Sequence, residues 1–457
     1  MMSLAEAAQA LGAPLGGADV RFEGVSTDSR SLRPGELFVA LRGERFDGHD
    51  FLDAARRAGA AAALVDRAHA GSVPLPALAV EDTRLALGWL AKRWRARFAP
   101  VLIAITGSNG KTTTKEMLAA ILRRHAGEER VLATAGNLNN EIGLPLTLLR
   151  LRAAHRYCAI ELGMNHRGEI AYLADIARPS VALVNNAQRE HLEFLRTVHE
   201  VAEENASVYD GLPPEGVAVL NADDPHAAYF RDRAGARRVV DFGLGASAAV
   251  SGGYALKPLS SELRVRTPQG ECAATLSIPG LHNVRNALAA AACAHAAGIA
   301  PQAIGEGLGA FRPYAGRLQV KRSCAGGTLI DDSYNANPDS VRAAIDVLAA
   351  AAGRTVLVLG DMGEVGESGP EFHAEVGRYA RERGVGALLA LGAAAREAAE
   401  AYGAGGRHFG SLEELIGAAR EAAAAGATLL VKGSRFMRME RVVAALAEGS
   451  APVGGAR

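Results

Sequence analysis

The chain has 457 residues, 49% hydrophobic and 22% charged, which is typical of a soluble globular protein long enough for roughly three domains. Lysine and arginine together number 50, as do aspartate and glutamate, so the formal net charge is zero. Because the sequence has neither a long basic run nor an apolar run of roughly 18 residues, we expect no nucleic-acid partner and no membrane span.

The first part of the chain, up to about residue 98, has the pattern of a small mixed α/β domain. A helix is predicted over Ser3 to Leu11, and strand-like runs lie near Val25 and at Leu37–Leu41. A helix from about Gly48 to Ala58 and a strand at Ala61–Val65 follow. The opening stretch has no basic region, so we do not expect a signal peptide.

Two loops of this part concentrate polar groups, at Thr27-Asp28-Ser29-Arg30 and at Asp47-Gly48-His49. Loops between regular elements are where ligands are usually bound, although caps and turns explain the same residues. We expect the helix that begins near Leu87 and ends at Pro100 to link this part to the next. The four cysteines are scattered and are expected to be reduced, buried and cytoplasmic: Cys158, Cys272, Cys293 and Cys324.

The rest of the chain is organised around VLIAITGSNGKTTTKEM, which starts at Val101. A short apolar strand, a glycine-containing loop and a helix from Thr112 to about Arg124 form a design that binds phosphate. Gly107 and Gly110 allow backbone N–H groups to approach an anion, and Lys111 can reach the β- and γ-phosphates. An ordinary strand-to-helix turn is the alternative, and GKT in this position argues against it.

This segment is a variant of the strict P-loop pattern, which has glycine where this chain has Ile105. Its predicted ATP ligands are Gly107, Ser108, Asn109, Gly110, Lys111, Thr112 and Thr113.

After this loop, strands alternate with helices, which predicts a parallel sheet covered on both faces. Strands are predicted at Tyr157–Leu162, Val181–Asn186 and Val217–Asp224, and a helix is predicted from Leu144 after a loop rich in asparagine and glycine. Residues 251–278 alternate like antiparallel strands, and a helix follows from Gly280 to Gly298.

Several polar residues follow these predicted strands. Glu161 ends a strand, at the edge of a parallel sheet where nucleotides bind, so with Thr112 it is predicted to hold Mg²⁺. His191 is predicted to be catalytic with Lys111 and to hold a second metal, although a structural, hydrogen-bonded histidine is the alternative. No serine or cysteine nucleophile with a paired base is evident, which favours phosphoryl transfer by positioning and charge neutralisation.

The last part, from about Pro313, predicts a second doubly wound α/β unit without a P-loop of its own. Asp331 to Asn335 lie at a strand end before a helix, and further strands are predicted at Val356–Gly360, Ala387–Gly392 and Thr428–Ser434. The tail from Glu448 to Arg457 is rich in glycine and alanine and is expected to fray.

Ten segments of the chain, in this order, resemble the Mur ligases of peptidoglycan synthesis. They are TGSNGKTT, GNLNNEIGLP, ELGMN, NNAQREHLE, NADD, GLHNVRNALAAAA, GRL, DDSYNANPDS, GDMGEVGE and KGSR. Their spacing is most similar to the members that add D-Ala-D-Ala to a UDP-MurNAc-tripeptide. The DNPR motif typical of the members that add diaminopimelate is absent.

The resemblance implies an α/β fold of three domains. These are a small mixed α/β domain for the UDP-sugar (1–98), a central P-loop-type parallel-sheet domain for ATP (99–312), and a C-terminal Rossmann-like domain (313–457). The last domain would bring in D-Ala-D-Ala and close over the site. The reaction it implies uses ATP and Mg²⁺ and joins D-Ala-D-Ala to UDP-MurNAc-tripeptide through an acyl phosphate and a tetrahedral intermediate. A cytoplasmic monomer is expected.

The resemblance also implies ligand contacts beyond the P-loop. Residues expected to contact the nucleotide are Asn283, Asn286, Arg317 and Asp332. Asn283 and Asn286 are three residues apart on one helical face. Hydrogen bonding to a base edge and simple helix capping are the two alternative roles for them. Residues expected to contact substrate are Ser29, Arg30, Asp47, His49, Asn137, Asn139, Asn140, Tyr334, Asn335 and Asn337.

One departure from the family concerns a lysine that is carbamylated in many Mur ligases and helps to position a metal. Asn205 stands at that position, so the usual account of the second metal does not carry over, unless Glu203 or Glu204 compensates. Two other functions stay open, a folylpolyglutamate- or cyanophycin-type amide ligase and a nucleotide-binding regulator without catalysis. The DSR-bearing N-terminal part argues against a folyl enzyme, and the set of Lys111, Glu161 and His191 argues against a regulator.

Overall fold

The computed structural model describes residues 1–449 of the chain. Most of the predicted fraying tail, residues 450–457, lies outside this range. Within it the protein is α/β, as predicted, with a five-stranded and a small two-stranded sheet near the N-terminus, a parallel central sheet with an antiparallel extension, and one sheet near the C-terminus. No helix in residues 1–449 combines the length and the apolar character needed to cross a membrane.

The N-terminal sheet has the order β2-β7-β6-β5-β4, with only the β2–β7 pair antiparallel. Ser3 and Glu6 form a capping box that starts the first helix where the sequence predicts it. The helix predicted from Gly48 begins with a 3-10 turn over Gly48–Phe51. The strands and helices of this part are β1 Met2–Ser3, α1 Leu4–Leu11, β2 Leu15–Gly16, β3 Arg21–Phe22, β4 Gly24–Ser26, β5 Glu36–Val39, α2 Leu52–Arg57, β6 Ala62–Asp66, β7 Ala77–Val80 and α3 Thr83–Arg95.

Helix α3 corrects the expectation of a linker. It begins at Thr83, capped by Asp82, and its apolar face is buried in the same core as α1 and the central sheet. The Trp94 indole N–H donates to the carbonyl of Leu151 across that core (3.1 Å). The segment therefore fixes the N-terminal part against the central sheet, because its apolar stripe is buried by two neighbours rather than exposed.

The central sheet has the order β13-β12-β11-β8-β10-β9 and is parallel throughout. Strand β8 lies inside it, with Ile103 and Ile105 buried on one face and Leu102 and Ala104 on the other. The sequence of a strand that is buried on both faces is a continuous apolar run, and β8 has such a sequence. The elements are β8 Val101–Thr106, α4 Lys111–Ala126, β9 Val131–Ala133, α5 Gly143–Leu148, β10 Tyr157–Glu161, α6 Glu169–Ala177, β11 Val181–Val184, α7 Leu192–Leu195, α8 Val198–Ala206, β12 Val217–Asn221, α9 Ala227–Ala234 and β13 Arg238–Phe242.

A three-stranded antiparallel sheet extends the central part, as the alternation predicts. The two helices that follow pack against α4, the helix of the phosphate-binding loop. Its elements are β14 Ser251–Leu256, β15 Ser261–Thr267, β16 Gly270–Leu276, α10 Leu281–Ala296 and α11 Pro301–Ala310.

The C-terminal sheet has the order β17-β18-β22-β19-β20-β21, with β17 antiparallel to an otherwise parallel set. Its elements are β17 Gln319–Arg322, β18 Thr328–Asp332, α12 Pro338–Ala349, β19 Thr355–Gly360, α13 Gly369–Glu382, β20 Ala387–Leu391, α14 Ala395–Tyr402, β21 Gly406–Phe409, α15 Leu412–Ala424, β22 Thr428–Lys432 and α16 Glu440–Leu446.

The cysteines only partly match the expectation that all four are buried. Cys158 and Cys293 are buried, Cys272 is half-buried and Cys324 is exposed, and all four are free thiols. Cys324 lies in the turn between β17 and β18.

Candidate active site

The P-loop connects the carboxyl end of β8 to the start of α4. Gly107 and Gly110 have φ angles of 129° and 81°, a region that favours glycine. A Cβ atom on Gly110 would lie 2.2 Å from the Asn286 Oδ1, so only glycine fits beneath the helix that carries this asparagine. Helix α4 therefore begins at Lys111 with its N–H groups directed toward the cavity that an anion would enter.

Lys111 is held at the mouth of this loop by the loop itself. Its Nζ donates to the carbonyls of Gly107 (2.6 Å) and Ser108 (3.0 Å) and lies 3.3 Å from a carboxylate oxygen of Glu190. Both charged side chains are about 10% exposed. Glu190 thus supplies the negative charge opposite Lys111. The phosphates of a nucleotide would compete with this carboxylate for the Lys111 ammonium.

Glu161 and Thr112 form the group predicted to bind Mg²⁺. The Glu161 Oε1 accepts from the Thr112 hydroxyl (3.2 Å) and from the Asn139 amide (2.8 Å). Its Oε2 is buried and accepts no hydrogen bond from any of residues 1–449. A buried carboxylate oxygen without a donor, beside a hydroxyl in a polar cavity, fits a hard cation that takes oxygen ligands.

His191 lies where the central and C-terminal sheets meet. Its φ of 54° is left-handed, and it caps the short helix α7. Its Nδ1 is 2.7 Å from the Glu364 Oε2, outside the direction for a ring hydrogen bond, and its Nε2 is 3.6 Å from Glu190. The imidazole lowers the pKa of Glu364, so this carboxylate is held ionised beside it.

Asn205 does not face the cavity. It is fully buried, accepts a hydrogen bond from the Thr106 hydroxyl (2.7 Å) and donates to the Val201 carbonyl (2.9 Å). The suggested compensation by its neighbours is wrong. Glu204 accepts from the backbone N–H groups of Gly168 and Ile170, and Glu203 pairs with Arg167 on the surface.

Two cavities meet at the P-loop, with volumes of about 840 Å³ and about 560 Å³. Predicted site residues that line the larger one are Ser108, Asn109, Gly110, Lys111, Thr112, Asn137, Asn139, Asn140, Glu161, His191, Arg317, Tyr334, Asn335 and Asn337. Predicted residues that line the smaller one are Asn109, Gly110, Thr113, Asn283, Asn286, Arg317 and Asp332. The structure thus brings together residues separated by more than two hundred positions in the sequence.

In the smaller cavity, asparagine side chains form a chain of hydrogen bonds. The Asn286 amide nitrogen donates to the Asn283 Oδ1 (3.1 Å), and Asn185 donates to the Asn286 Oδ1 (3.1 Å). The N-cap of this helix is Gly280, so neither asparagine is a simple helix cap.

The C-terminal sheet contributes cationic groups to the same site. The Arg317 guanidinium stacks over the Tyr334 ring at 4.1 Å, and its buried Nε has no partner among residues 1–449. The Lys432 Nζ donates to the Asp332 Oδ2 (2.6 Å) and to the Asn335 carbonyl (2.9 Å). Burial lowers the pKa of Lys432, while Asp332 opposes that shift.

Four predicted substrate residues do not line either cavity. Arg30 is paired with Asp28 and its side chain is 88% exposed, and Ser29 lies beside it. The His49 ring is only 2% exposed, with Nδ1 on Asp47 (2.5 Å) and Nε2 accepting from the Asp66 N–H (3.1 Å). The assignment of Ser29, Arg30, Asp47 and His49 to substrate therefore rests on the resemblance alone.

The His49 cluster is also a poor metal site, although Asp47, His49 and His69 have close ligand atoms. The two imidazole rings are stacked 4.1 Å apart and nearly parallel (15°). Their in-plane lone pairs run side by side and do not converge on one ion.

Several residues of the site had no predicted role. Glu190, Glu364, Arg189 and Lys432 all lie in segments that carry the resemblance, but their partners are distant in sequence. Two local signals could have found some of these residues. Glu190 is an acidic residue directly before His191, and Lys432 is a polar residue at the carboxyl end of a parallel strand, as Glu161 is.

Comparison with known families matches nearly the whole chain in three parts. "Mur ligase family, catalytic domain" matches residues 21–95, "Mur ligase middle domain" matches residues 105–294, and "Mur ligase, glutamate ligase domain" matches residues 316–435. The curated UDP-N-acetylmuramoyl-tripeptide--D-alanyl-D-alanine ligase of Escherichia coli (strain K12) is 42% identical over 451 residues, covering 98% of each chain.

Two solved structures extend this similarity to the fold. One is the UDP-N-acetylmuramoylalanyl-D-glutamyl-2,6-diaminopimelate--D-alanyl-D-alanyl ligase of Acinetobacter baumannii. It has a TM-score of 0.85 and 36% identity, over 96% of this chain and 97% of that one. The other is the MurF ligase of Thermotoga maritima in complex with ADP, with a TM-score of 0.79 and 27% identity, over 92% and 96%. On this identity and coverage, together with the motifs and the fold, the chain belongs to the Mur ligase family.

Proposed function

We propose that the chain is an ATP-dependent ligase that joins D-Ala-D-Ala to a UDP-MurNAc-tripeptide and so completes a UDP-MurNAc-pentapeptide. The observation that carries this proposal is the near full-length similarity to a ligase named for that reaction, combined with the P-loop site. That ligase is 42% identical to this chain over 98% of both chains, so the similarity includes all three matched parts. The match to all ten segments, including those from the C-terminal sheet, also argues against a nucleotide-binding regulator.

The proposed reaction has two chemical steps. The terminal carboxylate of the tripeptide attacks the γ-phosphorus of ATP, and ADP leaves with the electron pair of the broken bond. The amine of D-Ala-D-Ala then attacks the acyl carbon of the acyl phosphate, loses a proton, and the tetrahedral intermediate collapses to amide and phosphate. The first step brings two anions together, which in a dry site costs several kcal/mol unless cations offset the charge.

The chain's own residues meet this requirement from two sides of the larger cavity. Lys111 approaches from the P-loop, while Arg317 and Lys432 approach from the C-terminal sheet. The Arg317 guanidinium is aligned by the Tyr334 ring, and Lys432 is fixed by Asp332 and by the Asn335 carbonyl. We assign these groups to charge neutralisation, with Asn283 and Asn286 next to the base.

Thr112 and Glu161 would hold a Mg²⁺ ion, whose charge would offset that of the β- and γ-phosphates. His191 stays the candidate ligand for a second ion, but the lysine carbamate of related enzymes does not fit this chain. Asn205 has no amine that could react with CO₂, and its side-chain amide is hydrogen-bonded to the Thr106 hydroxyl and the Val201 carbonyl. No step of the proposed mechanism depends on that ion.

We also propose the division of the chain into domains at residues 98 and 312. Each strand of the three main sheets stays within one of the resulting parts, which supports this division. The expected cytoplasmic location and monomeric state are part of the same proposal.

The decisive assay measures ADP release from ATP with UDP-MurNAc-tripeptide, with and without D-Ala-D-Ala, followed by product mass. We expect a mass increase of one dipeptide when diaminopimelate, lysine, D-alanine and D-Ala-D-Ala compete as acceptors. Lys111→Ala should abolish turnover while the protein stays folded. Incorporation of a single amino acid would overturn the proposed acceptor, and full turnover by the folded Lys111→Ala protein would overturn the P-loop assignment.

A further inference from the structure

A side branch opens from the larger cavity close to the predicted reaction centre. It has a volume of about 340 Å³ and lies between α3, α6 and the loop after β9. Gly163, two residues beyond Glu161, lines both spaces, as do Arg84 and Glu141. The branch is large enough for an amino-acid side chain, and it adjoins the cavity in which the acyl transfer is proposed, since five residues line both.

The proposed reaction constrains which part of the substrate can reach this branch. The carboxylate that attacks ATP belongs to the last residue of the tripeptide, so the α-carbon that carries this residue's side chain is bonded directly to the reacting carboxyl carbon. It must enter a space that adjoins Glu161 and Lys111 and does not contain the nucleotide. The side branch meets both conditions, because neither the P-loop nor the asparagine chain lines it.

Two opposite charges at the mouth of the branch form a long, partly exposed ion pair with each other, which a ligand carrying both charges can replace. The Arg84 guanidinium and the Glu141 carboxylate approach each other to 3.7 Å, beyond hydrogen-bonding distance, with side-chain exposures of 55% and 33%. The Tyr172 hydroxyl in the same branch is buried and has no hydrogen-bond partner among residues 1–449. The other charged groups are committed elsewhere, since Arg167 pairs with Glu200 and Glu169 accepts from backbone N–H groups.

We propose that this branch binds the side chain of the third peptide residue and selects one that ends in both an amine and a carboxylate on one carbon. The carboxylate would pair with Arg84, the amine with Glu141, and the Tyr172 hydroxyl would complete the set. Meso-diaminopimelate has such an end, whereas lysine has the amine alone. This assignment rests on the proposed function, of which it specifies the substrate.

The test compares kcat/KM for two UDP-MurNAc-tripeptides, one with meso-diaminopimelate and one with L-lysine at the third position, at saturating ATP and D-Ala-D-Ala. We expect the native protein to prefer the diaminopimelate substrate. Arg84→Met should lower kcat/KM for that substrate about 30-fold and change kcat/KM for the lysine substrate less than about threefold. Only the diaminopimelate side chain has a carboxylate that pairs with Arg84. Glu141→Gln should lower both values.

The matched control is Arg93→Met, an exposed arginine on the same helix, which should leave both values unchanged. Tyr172→Phe removes a hydroxyl that has no hydrogen-bond partner among residues 1–449, so it should keep the melting temperature and lower kcat/KM for the diaminopimelate substrate. Equal losses on both substrates with Arg84→Met, or no preference in the native protein, would overturn the subsite while leaving the ligase function intact. Absence of ligation with either tripeptide would overturn the proposed function itself.

Discussion

Arg189 joins the central sheet to the C-terminal sheet, and its removal should loosen the arrangement that completes the site. It follows β11, and its guanidinium donates to Asp339 on α12 (2.6 Å) and to Glu375 on α13 (2.7 Å), with Phe372 under its face. The two carboxylates hold the pKa of Arg189 well above its usual range. All three charged side chains are about a quarter exposed, so water screens the pair only in part.

The magnitude follows from these contacts. A hydrogen bond between charged groups contributes about 1.5–3 kcal/mol, and partial exposure reduces the combined effect of the two carboxylate contacts to about 2 kcal/mol. Since about 1.4 kcal/mol is a factor of ten, Arg189→Met should lower the ratio of closed to open molecules roughly 30-fold. Ligation rates should fall by up to that factor, because the proposed contacts of Arg317 and Lys432 with the nucleotide require the two sheets to be together.

Steady-state ADP release and small-angle X-ray scattering would check this result. Arg189→Met should show a larger radius of gyration and reduced kcat. The matched control is Arg342→Met, which removes a contact to the same Glu375 (2.9 Å) within the C-terminal part and leaves the inter-sheet contacts in place. Native activity and native scattering from a folded Arg189→Met protein would refute the reasoning, as would an equal loss in the control.

Three further predictions concern the metal, pH and carbamate. Glu161→Gln should raise the Mg²⁺ concentration needed for half-maximal activity about tenfold or more, with partial rescue at high Mg²⁺, and an unchanged Mg²⁺ titration would make Glu161 structural. Burial lowers the pKa of His282 from 6.5 to about 4, so the unfolded chain binds an extra proton as the pH falls through 6.5. Stability present above pH 6.5 should therefore decline toward pH 4, by roughly 2 kcal/mol at pH 5, and melting curves of His282→Gln should lack this component. Bicarbonate should not stimulate ligation in CO₂-depleted buffer at fixed pH and ionic strength, and specific stimulation, with a carbamylated side chain near His191, would contradict the carbamate-free interpretation of Asn205.

Much of the fold was predictable because the determining signals are local. The apolar run of β8, its glycine loop and the start of α4 follow from a few adjacent residues, and the structure confirms them. The capping box at Ser3 likewise starts its helix as predicted. The burial of α3 was not predictable, because an amphipathic stripe shows that a helix is covered without showing by what.

The site itself was harder to predict because its geometry depends on partners distant in sequence. Arg189 and Asp339 are 150 residues apart, and Lys432 and Asp332 are 100 apart. Asp47 caps a 3-10 turn and His49 is a buried, hydrogen-bonded ring, and the substrate role of both residues stays a prediction. Polar residues on loops satisfy backbone groups as readily as they bind substrates, and a pattern within one loop cannot separate the two roles.

The position of Asn205 shows how one substitution changes the electrostatics of such a site. A lysine carbamate would place a negative charge at the end of α8, whereas Asn205 is neutral. Its amide oxygen accepts a hydrogen bond from Thr106, directly before the P-loop. The carboxylates that approach His191 are instead Glu190 and Glu364, which come from two different sheets. Since Glu364 joins His191 only across the interface between those sheets, the charge around this histidine depends on their being together. The charge around His191 in this chain is therefore linked to the same contact between the two sheets that Arg189 makes.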